Sequence, residues 1–129
     1  MAWVQLVTLL ALFEFFGFAW AVANARVRFG VKAPATFGNE HFERYFRVQQ
    51  NTLEQLLLFL PSLWIAAAYW NPMLVAAVGA VFLIGRLLYF RGYVREPRQR
   101  HIGFMLGIVP STVLALGATI GVVRTLVGM

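Results

Sequence analysis

A chain of 129 residues that is 60% hydrophobic and only 12% charged cannot bury its apolar surface as a small soluble domain, in which about a quarter of residues carry charge. Disorder and a soluble enzyme are thereby excluded, and the bilayer is the natural solvent. The absence of cysteine excludes a disulfide scaffold, a thiolate metal site and a cysteine nucleophile. The net charge of +6 lies beside apolar spans, which suits an anionic membrane surface or an anionic small molecule better than nucleic acid.

A helix needs about 20 mostly apolar residues to cross the hydrocarbon core. The sequence predicts four such helices, over about 3–25, 42–70, 72–95 and 101–127. They form a single domain across 1–129, an all-α integral membrane four-helix bundle. The first is read as a span and not a cleaved leader, because no Lys or Arg precedes it and Glu14 interrupts it. A tight turn at Asn71-Pro72 makes the second and third helices antiparallel neighbours. In the last helix Gly103 with Gly107, and Gly117 with Gly121, have the spacing of close helix packing. Pro110 should kink that helix, with Ser111 and Thr112 at hand for the freed carbonyls.

Basic residues divide unevenly. Arg26, Arg28, Lys32, Arg44 and Arg47 flank the first connection; Arg86, Arg91, Arg95, Arg98 and Arg100 lie near or within the third; Arg124 stands alone opposite. Positive charge is retained in the cytoplasm, so both basic connections belong inside and both termini outside. The short termini favour a bacterial inner membrane over an organelle membrane. His41 and His101 read as interfacial, and no metal site is expected.

The second span carries the chemistry. Arg47, Asn51 and Glu54 fall at i, i+4 and i+7 on one helical face, at depths of roughly 7, 13 and 18 Å. An ionisable group so deep is costly unless it faces protein or a wet cavity. On the third helix Arg86, Tyr89 and Tyr93 share a face, with Arg86 about 14 Å below the helix end, level with Asn51 and Glu54. A Glu54–Arg86 ion pair that only locks the bundle would explain that pair. It would not explain Arg47, Gln49, Asn51, Tyr89 and Tyr93 around it. Guanidinium, amide, carboxylate and phenol together suit a zwitterion with several carboxylates and an amine. Glu14, near the bilayer centre, reads as structural with Arg86 a candidate partner. At the mouth of the last helix, Arg95, Arg98 and Arg100 are equally able to stabilise a thiolate.

The run Phe42-Glu43-Arg44-Tyr45-Phe46-Arg47-Val48-Gln49-Gln50-Asn51-Thr52-Leu53-Glu54 resembles the second-helix signature of the MAPEG family, the membrane-associated proteins in eicosanoid and glutathione metabolism. Arg86-Leu87-Leu88-Tyr89-Phe90-Arg91-Gly92-Tyr93 resembles its third-helix motif, and Lys32-Ala33-Pro34-Ala35-Thr36 with Gly38-Asn39-Glu40 its first loop. The resemblance implies a homotrimer with glutathione as co-substrate, bound between subunits near the cytoplasmic face, and no metal. It implies that Arg47, Asn51, Glu54, Tyr89 and Tyr93 hold glutathione, that Gln49 and Arg26 contribute to its carboxylates, and that Arg100 is the catalytic arginine facing the thiolate. Gln55 and Val27 depart from the leukotriene-synthase branch, which holds a tyrosine and an arginine there. That leaves a microsomal-type glutathione transferase, taking a hydrophobic electrophile or lipid from the bilayer, with reduction of lipid hydroperoxides as a second activity. The alternatives are a non-enzymatic lipid-binding scaffold of the same family and a small transporter using Glu54, Arg86 and Glu14 as a polar path.

Overall fold

The computed structural model describes residues 1–95 and 100–128, and of Arg100 the backbone only. The chain folds into α1 (Ala2–Phe29), α2 (Glu40–Tyr69), α3 (Pro72–Arg95) and α4 (Arg100–Leu126). All four are long and apolar enough to cross a membrane, and no strand occurs among the described residues. Large apolar side chains such as Phe13, Leu57 and Leu116 project outward, as lipid requires.

Two boundaries differ from the sequence expectation, for reasons of helix capping. α1 continues past Ala25 to Phe29, so Arg26 and Arg28 lie in its last turn, where cations oppose the negative end of the helix dipole. Gly30 then closes it in the left-handed region at φ 71°, donating its N–H to the Arg26 carbonyl. α2 begins at Glu40, ahead of Phe42, because Asn39 caps it by accepting from the Phe42 N–H at 3.1 Å. The first connection is therefore shorter than the charge pattern alone suggested.

Side-chain links fix the two ends. At one, the Arg44 guanidinium donates to the Arg95 carbonyl at 3.4 Å, joining the start of α2 to the end of α3. At the other, Asn71 Oδ1 accepts from the Met73 N–H at 2.9 Å and tightens the α2–α3 turn. Trp70 Nε1 donates there to the Gly117 carbonyl at 2.8 Å. The two basic connections thus share one end of the bundle.

The half of the bundle nearer the α2–α3 turn is packed mainly with apolar side chains. Phe59 and Phe82 stack with centroids 3.8 Å apart, among buried Val4, Val7, Leu63 and Leu114. α3 and α4 approach most closely where glycine permits it. A Cβ on Gly85 would lie 2.6 Å from the Leu106 carbonyl carbon, and one on Gly103 would collide with the Tyr89 backbone. α4 runs on through Pro110, with Ser111 Oγ donating to the Gly107 carbonyl at 3.0 Å and Thr112 Oγ1 to that of Ile108 at 2.8 Å.

Candidate functional site

Towards the basic end the packing opens. The first half of α2, the last turns of α3 and the start of α4 enclose a cavity of about 450 Å³, lined by Arg47, Asn51, Tyr89, Tyr93, His101 and Phe104. Arg47 and Asn51 reach it from successive turns of α2. Tyr89 and Tyr93 do the same from α3, their rings stacked 5.5 Å apart at 15°. Phe18, Val48 and Phe104 pack around Tyr89 and set its position.

Arg86 lies beneath this cavity and is fully buried. Its Nη2 donates to Asn51 Oδ1 at 2.9 Å and to Thr52 Oγ1 at 2.8 Å, and its guanidinium lies 4.4 Å from the Tyr89 ring centroid. Thr52 in turn donates to the Val48 carbonyl at 2.7 Å. A guanidinium only donates, so it claims the oxygen of Asn51 and leaves the amide N–H groups of that side chain as donors for the cavity. Nε and Nη1 of Arg86 and Oε1 of Gln55 are buried and have no hydrogen-bond partner among the described residues. A Cβ on Gly107 would lie 3.5 Å from that Nη1 and 3.6 Å from that Oε1. Polar capacity therefore extends below the cavity into the membrane span.

The alternative of a Glu54–Arg86 ion pair that locks the bundle is not realised. Arg86 is engaged by Asn51 and Thr52, and Glu54 is exposed on the flank of α2. Glu14, half-buried on α1, is the carboxylate that interacts electrostatically with Arg86; no salt bridge joins them among the described residues.

The remaining candidates separate. Arg26 donates to the Ala35 carbonyl at 2.7 Å and lies 4.9 Å from the Phe42 ring centroid, pinning the first connection. Gln49 is half-buried, and neither it nor Glu54 lines the cavity. α4 starts at Arg100, whose side chain lies outside the described residues, as does Arg98. Arg95 is exposed. Three contributors were not anticipated. Thr52 lies off the 47/51/54 stripe; Phe104 is one apolar residue among many; His101 looked like a solvated interfacial residue. Their shared signal is position, since His101 and Phe104 are i and i+3 at the first turns of α4. No group of His, Asp and Glu is placed to hold a metal among the described residues.

Comparisons with known proteins identify the family. The profile of the MAPEG family matches residues 4–120. The chain is 47% identical to Uncharacterized protein sll1147 of Synechocystis sp., over 93% of this chain and 88% of that one. It is 39% identical to Microsomal glutathione S-transferase 2 of Mus musculus, over 81% of this chain and 71% of the relative. It is 42% identical to Leukotriene C4 synthase of Bos taurus, over 73% of this chain and 63% of the relative. With its four apolar spans, this chain is an integral, multi-pass membrane protein and belongs to the MAPEG family.

Proposed function

We propose that the protein is a membrane-bound glutathione transferase, which binds glutathione as its thiolate and directs it at hydrophobic electrophiles dissolved in the bilayer. One observation carries the reading: a single cavity gathers the Arg47 guanidinium, the Asn51 amide and the Tyr89 and Tyr93 phenols at the basic end of the bundle. Its volume, about 450 Å³, is in the range of small-molecule sites. Glutathione carries two carboxylates, an ammonium and a thiol, and its carboxylates answer to the cavity's donors. Relatives named as a glutathione S-transferase and a leukotriene synthase support the same chemistry.

In this reading Arg47 takes a carboxylate, Asn51 donates from its amide, and the tyrosines fix orientation. Glu54 accepts from the ammonium, Gln49 and Arg26 complete the carboxylate contacts, and Arg100 stabilises the thiolate at the mouth. Lowering the thiol pKa by about two units corresponds to roughly 2.7 kcal/mol of preferential thiolate binding. The thiolate then attacks the electrophilic carbon directly, the protein supplying proximity and electrostatics with no covalent intermediate. The same thiolate serves lipid hydroperoxide reduction as a second activity.

Glu54 lies in a membrane span yet is exposed in the single chain, a costly placement in lipid. A neighbouring copy covering that face removes the cost, which supports a homotrimer with the site completed between protomers. The basic end faces the cytoplasm, both termini the other side, in a bacterial inner membrane. The test is the ultraviolet thiolate absorbance of detergent-purified protein mixed with glutathione, beside Arg100→Ala. A signal in the unmutated protein alone supports an activated-glutathione enzyme. Folded protein with no signal in either case refutes it and favours the lipid-binding scaffold.

A further inference from the structure

On the other side of the α3–α4 seam lies a second concavity, of about 530 Å³, whose lining includes Leu88, Arg91 and Arg95 from α3 and His101 and Ile102 from the first turn of α4. Arg91 and Arg95 are one turn apart, and Leu88 continues their stripe towards the bilayer. The first N–H groups of α4, which lack acceptors within the helix, begin at the same place. From this arrangement we propose that the groove binds the headgroup of an anionic phospholipid, with an acyl chain laid along the adjoining apolar flank.

Three observations select this occupant. Charge comes first: among the described residues two guanidiniums and an imidazole line the groove at the basic end of the bundle, and no carboxylate does. Guanidinium binds phosphate with two parallel hydrogen bonds. Second, the groove has an apolar continuation that a free phosphate has no use for. Leu88 is 41% exposed and Ile102 71%, and the flank extends as exposed Ile84 on α3 and Met105 and Val109 on α4. Third, the groove is set apart from the cavity at the depth of Gly103, which meets the Tyr89 backbone and closes the seam there; this favours a lipid held on the outer face over the electrophile.

The test is native mass spectrometry of the full chain released from nanodiscs of mixed phosphatidylglycerol and phosphatidylcholine. Unmutated protein should retain phosphatidylglycerol preferentially. Arg91→Gln with Arg95→Gln should lower that preference roughly 30-fold, from the contribution of two interfacial cations, while glutathione binding stays unchanged. Arg91→Lys with Arg95→Lys, which keeps the charge, should restore most of it. Equal retention of both lipids by the unmutated protein, or an unaltered preference in the Gln variant, overturns the proposal. Displacement of the lipid by millimolar inorganic phosphate points to a plain anion site and overturns it as well. The chain has no cysteine, so Ile102→Cys provides one further arm. Its crosslinking between protomers would show that a second copy covers the groove, and would overturn the lipid assignment.

Discussion

The two halves of this bundle are built from the same four helices and differ in what they bury. In the half nearer the α2–α3 turn, Phe59, Leu63, Phe82 and Val4 meet with no polar atom among their side chains, and the helices close on one another. In the basic half, Arg86, Asn51, Thr52 and Gln55 are buried instead, and a cavity opens beside them. Apolar side chains are satisfied by any close neighbour. A guanidinium and an amide need partners in set directions, so that half holds a defined shape and leaves donors over. One half supplies stability and the other gives up some of it to present chemistry.

Substitutions in each half should therefore separate folding from binding. Phe59→Ala has the largest expected effect, about 4 kcal/mol of stability lost to the stack and the void it leaves. Thermal unfolding in detergent should report it, with the thiolate signal per folded molecule unchanged; a lost signal would mean that the halves are not separable. Arg86→Met leaves the acceptors of Asn51 and Thr52 unmatched and should cost about 3 kcal/mol. It should also weaken glutathione binding measured by calorimetry, since Asn51 loses the partner that orients it. Arg47→Ala should act on binding alone: the dissociation constant for glutathione rises roughly 10- to 100-fold, the value of one charged hydrogen bond, with the unfolding midpoint unmoved. Trp70→Phe, at the far end, removes the bond to the Gly117 carbonyl and should cost about 1 kcal/mol, leaving glutathione affinity intact.

The spans were legible because 20-residue apolar runs leave a solvent-facing helix no alternative; the caps Gly30 and Asn39, which set two of the boundaries, went unread. The α2 stripe placed Arg47 and Asn51 on one face, and the depth count put Arg86 level with Asn51, where a 2.9 Å hydrogen bond joins them. Periodicity says which residues share a face and not what covers it. Asn51 is buried and Glu54, on the next turn of the same helix, is exposed. The choice of Thr52 over Glu54 as the second partner of Arg86 depends on the rotation of α2 about its axis, which no one-dimensional pattern contains. His101 read as solvated and is exposed; that it also forms part of the cavity wall depends in the same way on how α4 is turned.

The glycine seam has a consequence for motion. Gly85 against Leu106 and Gly103 against Tyr89 press α3 and α4 backbone to backbone at two points, where no long side chain lies between them to act as a hinge or bearing. The two helices should move as one plank carrying Tyr89, Tyr93, His101 and Phe104 together. Opening the cavity then falls to α2 and α1 swinging against that plank, and spin labels across α3 and α4 should keep their spacing whether or not a ligand is bound.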